Sequence, residues 1–485
     1  MYRAAEACNS GRGRCNRTKG KSGGSMVHGT RWVLVAAALL SALLALAGAV
    51  RAAEGDLYSR LRAQPQDLLT VYDTAAEQDP QFRAAALQHE ADQRLRELAR
   101  AKLLPRLSLE AQYSQTRQEI LAADNAVFGS GTSTFPTRTY TLTLSQPLFD
   151  WASWQGYQKA RAEVRRADAE FAAQRMELLL RVAERYFAVL GARDDVASRK
   201  AEQVALAKNL DYASRRFRSG LANIADLNDV KARHALARAD LIEDIARLDD
   251  ARQGLAELVG WDGMRLMRLD GEMPLPRPEP DEPGAWVERA MQNNPELQAL
   301  AARVQAAERE VRVQRAGHYP SLELTARHNY RKTEGTLFGG GSEVATSDLA
   351  LSLSVPIYEG GGVSAAVAQA VSLKDKAQQE LRRRQREIAR EVRAAFEGMR
   401  TALSRIEALE EAVAAQEVVV EGRRRGQRSG VYTQVAVADA EQDLEAARRD
   451  LSRARYDYLL ESLRLKRSAG LLQRADLEAI NRWLR

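Results

Sequence analysis

The sequence predicts a mainly α-helical protein with a small β part, built as two tandem repeats that each contribute a long helical hairpin and two strands. Three observations predict this class. A stretch of about 66 residues, Trp151 to Phe217, holds no proline and carries charges throughout. Four shorter stretches alternate apolar and polar side chains with a period of two. The same landmarks then recur about 210 residues further along the chain.

The long stretch is predicted as one helix because its apolar residues return every three or four positions. Leu179, Val182, Tyr186 and Val189 fall on one stripe. At 1.5 Å per residue the helix would be roughly 100 Å long, several times the thickness of a bilayer's hydrocarbon core. It is therefore too long and too polar for a membrane span.

The long helix is predicted to end in a tight tip. Arg218 and Ser219 lead to Gly220, and glycine can adopt the left-handed conformation that stops a helix. A second helical pattern then runs back, with apolar residues at Leu227, Val230, Leu241, Ile245 and Leu248. The unit is a helical hairpin.

Residues 1–52 are predicted as a leader with a signal peptide. An apolar run from Trp32 to Val50 follows a short basic segment, and small residues suited to cleavage follow the run. Because the run is long for a signal peptide, an uncleaved membrane anchor is the alternative. We expect translation to start at Met26, which would make residues 1–25 upstream sequence.

The formal net charge of +7 belongs to this leader. Residues 1–52 hold eight basic residues and one acidic residue, so the rest of the chain is neutral overall, and its composition does not point to a nucleic-acid partner. Both cysteines, Cys8 and Cys15, also lie in the leader. The mature chain is therefore expected to have no disulfide, no thiolate chemistry and no cysteine that could carry a lipid.

Catalytic and metal-binding chemistry is not expected. The histidines show no metal-ligand spacing, and the carboxylates lie on charged helix faces without an apolar pocket that would shift a pKa. We therefore expect no enzyme, no cofactor and no metal site. The five histidines are His28, His89, His234, His318 and His328.

An internal duplication divides the mature chain. The repeated landmarks are Pro80 and Pro295, Pro105 and Pro320, Pro147 and Pro356, Gly220 and Gly430, and Gly260 and Gly470. The first repeat is assigned to 53–265, with strands at about 106–115 and 138–146 and a long helix at about 151–217. The second is assigned to 286–485, with strands at about 321–330 and 348–355 and a long helix at about 363–428. Residues 266–285 contain five prolines and are predicted as a plain spacer.

The strands are interpreted as membrane strands. For a single strand, alternation more often means one buried sheet face in a soluble protein. Here the export leader, and the lack of a spare helix to cover an apolar face, favour lipid on the apolar side and water on the other. Aromatic residues near the strand ends suit the membrane interfaces, namely Tyr113, Tyr140, Phe149, Tyr319, Tyr330 and Tyr358.

Four strands cannot close a membrane barrel. Single-chain barrels begin at about eight strands, and an open sheet edge in lipid leaves backbone groups unpaired. The chain must therefore oligomerise if it spans a membrane. Physical arguments alone allow both a dimer with eight strands and a trimer with twelve. The wider lumen of a trimer suits the polar inner face of each strand.

In this order, and twice over, the motifs resemble those of the TolC-type outer-membrane channel family across nearly the whole mature chain. The residues that carry the resemblance are Asp79-Pro80 and Asn294-Pro295, Ala101 to Pro105 and Arg315 to Pro320, Ser145 to Trp151, and Phe217 to Gly220 with Asp226 to Val230.

The resemblance implies a homotrimer whose twelve strands form one β-barrel in the outer membrane of a Gram-negative bacterium, continuous with a helical tunnel across the periplasm. Its hairpin tips would dock on a periplasmic adaptor (membrane fusion) protein, itself bound to an inner-membrane ABC or proton-driven transporter. The chain would be the exit channel of a tripartite export system for proteins or small molecules. The missing lipid-bearing cysteine and the segment Gln146 to Trp151 favour type I secretion over drug efflux.

Two groups of residues are candidate sites. The expected adaptor contacts are Arg218, Ser219, Gly220 and Leu221 at the first tip and Arg428, Ser429, Gly430 and Val431 at the second. The alternative is that these residues are plain helix caps with basic side chains that suit the helix dipole.

The periplasmic entrance is the second group. Family members that narrow the tunnel with acidic side chains carry them in the last turns of the second long helix. Here those turns hold one acid, Glu421, beside Arg423, Arg424 and Arg425. If these arginines face the lumen, the closed pore is less selective for cations. Alternatively, they pair with acids of neighbouring helices.

The alternative function is a periplasmic or surface coiled-coil structural protein or adhesin without a pore. Such a protein predicts sustained heptads along one seam, whereas here the apolar positions are interrupted and alanine is dense. The sequence does not identify the cargo.

Overall fold

The helices and strands follow the same order in the two halves of the chain. The computed structural model describes residues 65–120, 131–269, 273–335 and 340–485, so the predicted leader at 1–52 lies outside the described residues. In the first half these elements are α1 Leu68–Gln78, α2 Pro80–Gln93, α3 Leu95–Ala101, β1 Arg106–Ile120, β2 Gly131–Phe149, α4 Trp151–Arg218 and α5 Ile224–Val259. In the second they are α6 Pro283–Asn293, α7 Pro295–Arg315, β3 Ser321–Thr333, β4 Ser342–Ser354, α8 Gly362–Arg428, α9 Gln434–Ser468 and α10 Arg474–Asn481.

The two long helices, α4 and α8, contain 68 and 67 residues. The carboxylate of Asp150 caps α4 by accepting a hydrogen bond from the amide of Ser153 at 3.0 Å. The four residues of the predicted stripe, Leu179 to Val189, are all at most 5% exposed, which confirms the helical spacing. In the described ranges, no helix has both the length and the apolar character that crossing a membrane requires.

The four strands form one antiparallel sheet in the order β1-β2-β3-β4. Its register places Leu107 opposite Leu144, Leu144 opposite Ala326 and Ala326 opposite Leu349. Residues that lie directly opposite each other point to the same face of a sheet. The apolar positions of all four strands therefore share one face, as the alternation predicted.

The strands differ in extent from the predicted bounds. The expected strands 106–115, 138–146 and 321–330 are longer in the structure, and β4 runs from Ser342 to Ser354 instead of 348–355. The extra residues, such as Thr132 to Thr134 and Arg331 to Thr333, are polar on both faces of the sheet. Pairing of the backbone does not require alternation, so a period-two pattern could not reveal these segments.

Two prolines that lie just outside the predicted strand 138–146 are inside β2. Pro136 is opposite Gln115 of β1, and the pairing of β2 with β3 begins only at the next residue, Thr137. Pro147 lies where the β2–β3 register shifts, between Pro147 and Phe149. Proline has no amide hydrogen to donate, and the end of a ladder and a bulge are positions that tolerate this loss.

The main hydrophobic core is built around the middle of α4 and includes buried residues of α1, α8, α9 and α10. Tyr186 is fully buried there, and its hydroxyl donates to the carbonyls of Gln66 at 3.1 Å and Met267 at 3.0 Å. Phe187 stacks on Tyr456 at a ring-centroid distance of 5.5 Å. The core therefore ties the start of the first repeat to the returning helix of the second.

The proline-rich linker is more than the predicted plain spacer. It ends earlier than residue 285, because α6 begins at Pro283, a residue suited to the first turn of a helix. The hydroxyl of Tyr458 donates to the carbonyl of Pro276 at 2.5 Å, and Trp286 Nε1 donates to the carbonyl of Pro280 at 2.8 Å. These bonds hold the linker against α9 and α6.

The helices pack side by side in the same order as the strands to which they are joined. Near the sheet, α3 packs on α4, α4 on α7 and α7 on α8. Towards the tips, α5 packs on α4, α4 on α9 and α9 on α8. One edge of the subunit is therefore formed by β1, α3 and α5, and the opposite edge by β4 and α8.

Candidate functional site

The first hairpin tip is a tight turn between α4 and α5. Gly220 has φ +72°, and the amide of Leu221 donates to the carbonyl of Arg216 at 2.8 Å. Arg216 returns a bond, since its guanidinium donates to the carbonyl of Leu221 at 3.0 Å. Asn223 then caps α5 by accepting from the amide of Asp226 at 2.8 Å. The turn leaves Leu221 68% exposed at the apex.

The second tip has the same backbone between α8 and α9. Gly430 has φ +79°, and the amide of Val431 donates to the carbonyl of Gly426 at 2.8 Å. Thr433 takes the capping role of Asn223, accepting from the amide of Ala436 at 3.2 Å. Val431 is 73% exposed. Each tip therefore exposes an apolar side chain directly after its turn glycine.

The two tips differ in the group that closes the turn. At a spacing of 210 residues, Gly426 and Tyr432 stand where the first tip has Arg216 and Ala222. A Cβ atom on Gly426 would lie 2.5 Å from the Tyr432 ring, so the ring occupies the space of a missing side chain. The first turn is closed by a guanidinium and the second by an aromatic ring. The landmark prolines and glycines, which are identical in both copies, gave no signal for this difference.

The arginines of the candidate entrance are paired on the surface of the second hairpin. Arg424 bonds to Glu441 of α9 at 2.7 Å, Arg425 bonds to Glu421 at 2.9 Å, and Arg423 donates to the carbonyl of Ala436 at 2.9 Å. The hydrogen bond from Arg425 holds the pKa of Glu421 below its usual range, and the charge of Arg425 acts in the same direction. Within the subunit, pairing with acids is therefore the arrangement found for Arg424 and Arg425.

The six aromatic residues lie in two groups along the sheet. Tyr113 and Tyr140 lie at the middle of β1 and β2, because these strands extend beyond their predicted bounds, and Tyr330 lies near the outer end of β3. The rings of Tyr140 and Tyr330 are 6.2 Å apart. Phe149, Tyr319 and Tyr358 lie at the helical end. Nine residues separate Tyr140 from Phe149, which is about 30 Å along a strand. Tilted by 35–45°, that length matches an apolar band about 25 Å tall.

His328 is a polar residue on the apolar face of the sheet that the sequence pattern did not place there. His328 lies opposite Leu142 of β2 and Ser347 of β4, within the band. Its Nδ1 atom is 2.8 Å from the hydroxyl of Ser347, so the two polar groups satisfy each other. The alternation of β3 skips this position, and its partner lies on a different strand.

Comparison with known proteins identifies the family. The outer membrane efflux protein family matches residues 71–261 and 286–471, one block in each repeat. The outer membrane protein TolC of Vibrio cholerae is 30% identical over 440 residues, which cover 90% of this chain and 97% of that protein. The alkaline protease secretion protein AprF of Pseudomonas aeruginosa is 33% identical over 416 residues, covering 85% and 86%.

The fold is shared with solved outer-membrane proteins. The Campylobacter jejuni CmeC outer membrane channel superimposes with a TM-score of 0.73 at 16% identity, covering 86% of this chain and 90% of that one. VceC of Vibrio cholerae, an outer membrane protein, gives a TM-score of 0.67 at 19% identity, with 83% and 96% covered. With the family match in both repeats, this chain belongs to the outer membrane efflux protein family and is an export channel of the Gram-negative outer membrane.

Proposed function

We propose that three copies of the chain close one twelve-stranded barrel above a helical tunnel and that this homotrimer is the exit channel of a tripartite system for type I protein secretion. The observation that carries the proposal is the pair of open edges. Among the described residues, β1 and β4 each have one neighbour in the sheet, and α5 and α8 end the row of helices on the same two sides. Two different edges on opposite sides fit a head-to-tail ring.

A ring is required because the sheet is too small to close alone. An edge strand in lipid would leave a row of amide and carbonyl groups without partners, at several kcal/mol each. Joining β4 of one copy to β1 of the next satisfies both edges at once. Three copies supply twelve strands, and the polar face of each strand then lines a wide lumen.

Protein cargo is favoured by the relatives' names. AprF is named for the secretion of alkaline protease, and PrtF of Dickeya chrysanthemi, 28% identical over 425 residues, for the secretion of proteases. Metal efflux is the second candidate, since CzcC of Cupriavidus metallidurans is named for cobalt, zinc and cadmium resistance. That relative is 26% identical over 64% of this chain, a weaker and shorter match.

The hairpin tips are proposed to receive a periplasmic adaptor protein that is bound to an inner-membrane transporter. Leu221 and Val431 support this, because an apolar side chain that is about 70% exposed at a turn gains from being covered. The chain itself is proposed to catalyse no reaction. The energy for export would come from the transporter, so the channel needs only to bind, open and conduct.

The oligomer can be tested on protein extracted from membranes in detergent. Native mass spectrometry should give three times the mass of the mature chain. A mature chain that is monomeric and soluble without detergent would refute the channel.

The function can be tested by deleting the gene and measuring two properties of the deletion strain, its set of secreted proteins and its resistance to drugs and divalent metals. Loss of a secreted protein with unchanged resistance supports protein secretion, and loss of metal resistance alone contradicts it.

The role of the tips has a separate test. The variant Leu221→Asp with Val431→Asp places charges at both apices without touching the core. We expect it to form trimers as the parent does but to lose export in the complemented deletion strain. Normal export by such trimers would refute the docking role.

A further inference from the structure

A row of charged and aromatic residues crosses the apolar face of the sheet at the middle of β1 and β2 and near the outer ends of β3 and β4. Tyr113 is opposite Arg138, Arg138 opposite Lys332, and Lys332 opposite Glu343. The row below it contains the Tyr140–Tyr330 pair, and apolar side chains dominate the rows further down. From Leu322 to Lys332 the strand spans about 34 Å, which is about 26 Å of height at the usual tilt. Arg138 and Lys332 therefore lie at the outer boundary of the apolar band.

Arg138 and Lys332 place two positive charges side by side. Residues directly opposite each other in an antiparallel pair have Cβ atoms about 5 Å apart, and like charges in such a pair destabilise the sheet. Lys332 is compensated, since its ammonium group is 2.9 Å from the Glu343 carboxylate. Arg138 is exposed, and in the described part of the chain no carboxylate pairs with it. The arrangement leaves an unneutralised guanidinium beside an ammonium group.

The surroundings define which anion fits. Below the two cations lie aromatic rings and aliphatic side chains, which suit acyl chains and the interface above them. A ligand that satisfies both regions has a phosphate at the head and hydrocarbon beneath. A guanidinium binds phosphate oxygens with two parallel hydrogen bonds, and a lysine adds a point charge.

We propose that Arg138 and Lys332 bind a phosphate group of the glycolipid that forms the outer leaflet of the outer membrane. The inference rests on the proposed barrel, because it requires the apolar face to meet lipid. The bound phosphate neutralises Arg138 and offsets the repulsion between the two cations. The lipid is thereby held at the outer boundary of the apolar band, next to the strands β2 and β3.

Arg331 provides a matched control for the charge. It is adjacent to Lys332 in β3, opposite Thr139, and so points to the other face of the sheet. There it lines a recess of about 430 Å³ with Asn329, Val344 and other residues. Arg331→Gln removes one positive charge from the same part of the sheet without touching the proposed site. Arg138→Gln also removes one positive charge, but from the proposed site itself.

The test measures lipid binding to the purified protein in detergent by native mass spectrometry. The probes are lipid A with both phosphates, lipid A from which the phosphates have been removed, and inorganic phosphate alone. We expect the phosphorylated lipid to bind the parent and Arg331→Gln equally within about twofold. Arg138→Gln should bind it at least about tenfold more weakly, as expected for the loss of hydrogen bonds to a charged group.

Three results would overturn the inference. The dephosphorylated lipid could bind as tightly as the phosphorylated one, both arginine variants could lose binding equally, or inorganic phosphate without lipid could bind as tightly as the lipid. The same spectra report the oligomer. Trimers that bind lipid equally with and without Arg138 refute this site alone, whereas a monomeric protein refutes the proposed channel.

Discussion

Replacing Gly470 with alanine should destabilise the protein far more than the same change at Gly260. The two glycines are repeat equivalents, and both have positive φ angles, +71° and +79°. Strain of an alanine in this left-handed region costs about 1–2 kcal/mol at either site. A Cβ atom on Gly260 would meet its nearest neighbour, Gln78 Cβ, at 3.9 Å, which is ordinary contact. Gly260→Ala should therefore cost only the backbone strain.

At Gly470 the added Cβ atom would lie 2.6 Å from the backbone of Asn293 and Asn294. Backbone atoms cannot rotate away as a flexible side chain can, so overpacking adds about 1–3 kcal/mol. The shift would also strain the bond from Asn294 Nδ2 to the carbonyl of Ser468, 2.9 Å long, and the cap that Asn294 provides to the amides of Glu296 and Leu297. Gly470→Ala should thus cost about 2–5 kcal/mol in total.

The assay is thermal unfolding of the detergent-solubilised protein at one scan rate, because membrane oligomers often unfold irreversibly. Hydrogen exchange at the first turn of α7 gives a local readout. Gly470→Ala should lower the apparent melting temperature at least twice as much as Gly260→Ala and speed exchange at the amides of Glu296 and Leu297. Equal losses in the two variants would show that φ alone matters and that the close approach to Asn293 carries no energy.

Three further predictions concern single contacts. Tyr186→Phe removes a buried hydroxyl that donates to the carbonyls of Gln66 and Met267 and should cost about 1–3 kcal/mol, measured by the same melts. The Arg424–Glu441 pair is about half exposed, so a double-mutant cycle with alanine should give a coupling free energy below about 1 kcal/mol. Burial acts to raise the pKa of Asp67, but hydrogen bonds from Thr70 and Asn481 outweigh it and lower the pKa. The stability that the Asp67 carboxylate adds relative to Asp67→Asn should therefore be present at neutral pH and disappear as the pH falls below about 4, the ordinary range of aspartate, in melts taken across pH 7 to 3.

Features set by local sequence could be predicted, and features set by packing between distant segments could not. The stripe through Leu179 and Tyr186 follows from helical spacing alone, and Gly220 marks its turn because glycine tolerates a positive φ. The bulge at Pro147 depends on the partner strand β3, which the proline itself does not reveal. The partner of Arg424 lies 17 residues away on another helix, so the pairing depends on how α8 and α9 are aligned.

The divergence of the two tips leads to a final prediction about α8. Gly422 and Gly426 lie in its last turns, where the equivalent positions of α4 hold Tyr212 and Arg216. Apart from its chain neighbours and the backbone of its own helix, a methyl group at Gly422 would meet no atom within 4 Å, so Gly422→Ala should stabilise the helix end by about 1 kcal/mol through helix propensity. Amides in these turns should then exchange about fivefold more slowly.

Gly426→Ala gains the same propensity but has a second effect. The new methyl group would lie 2.5 Å from the Tyr432 ring, so the ring must leave the turn that it closes. The amides of Val431 and Tyr432 both donate to the carbonyl of Gly426, and displacement of the ring loosens these bonds. Exchange at the tip should therefore become faster in Gly426→Ala even though the preceding helix gains propensity. If both variants slow exchange equally through residue 432, the aromatic ring does not lock the second tip, and the two turns are held by their backbone bonds alone.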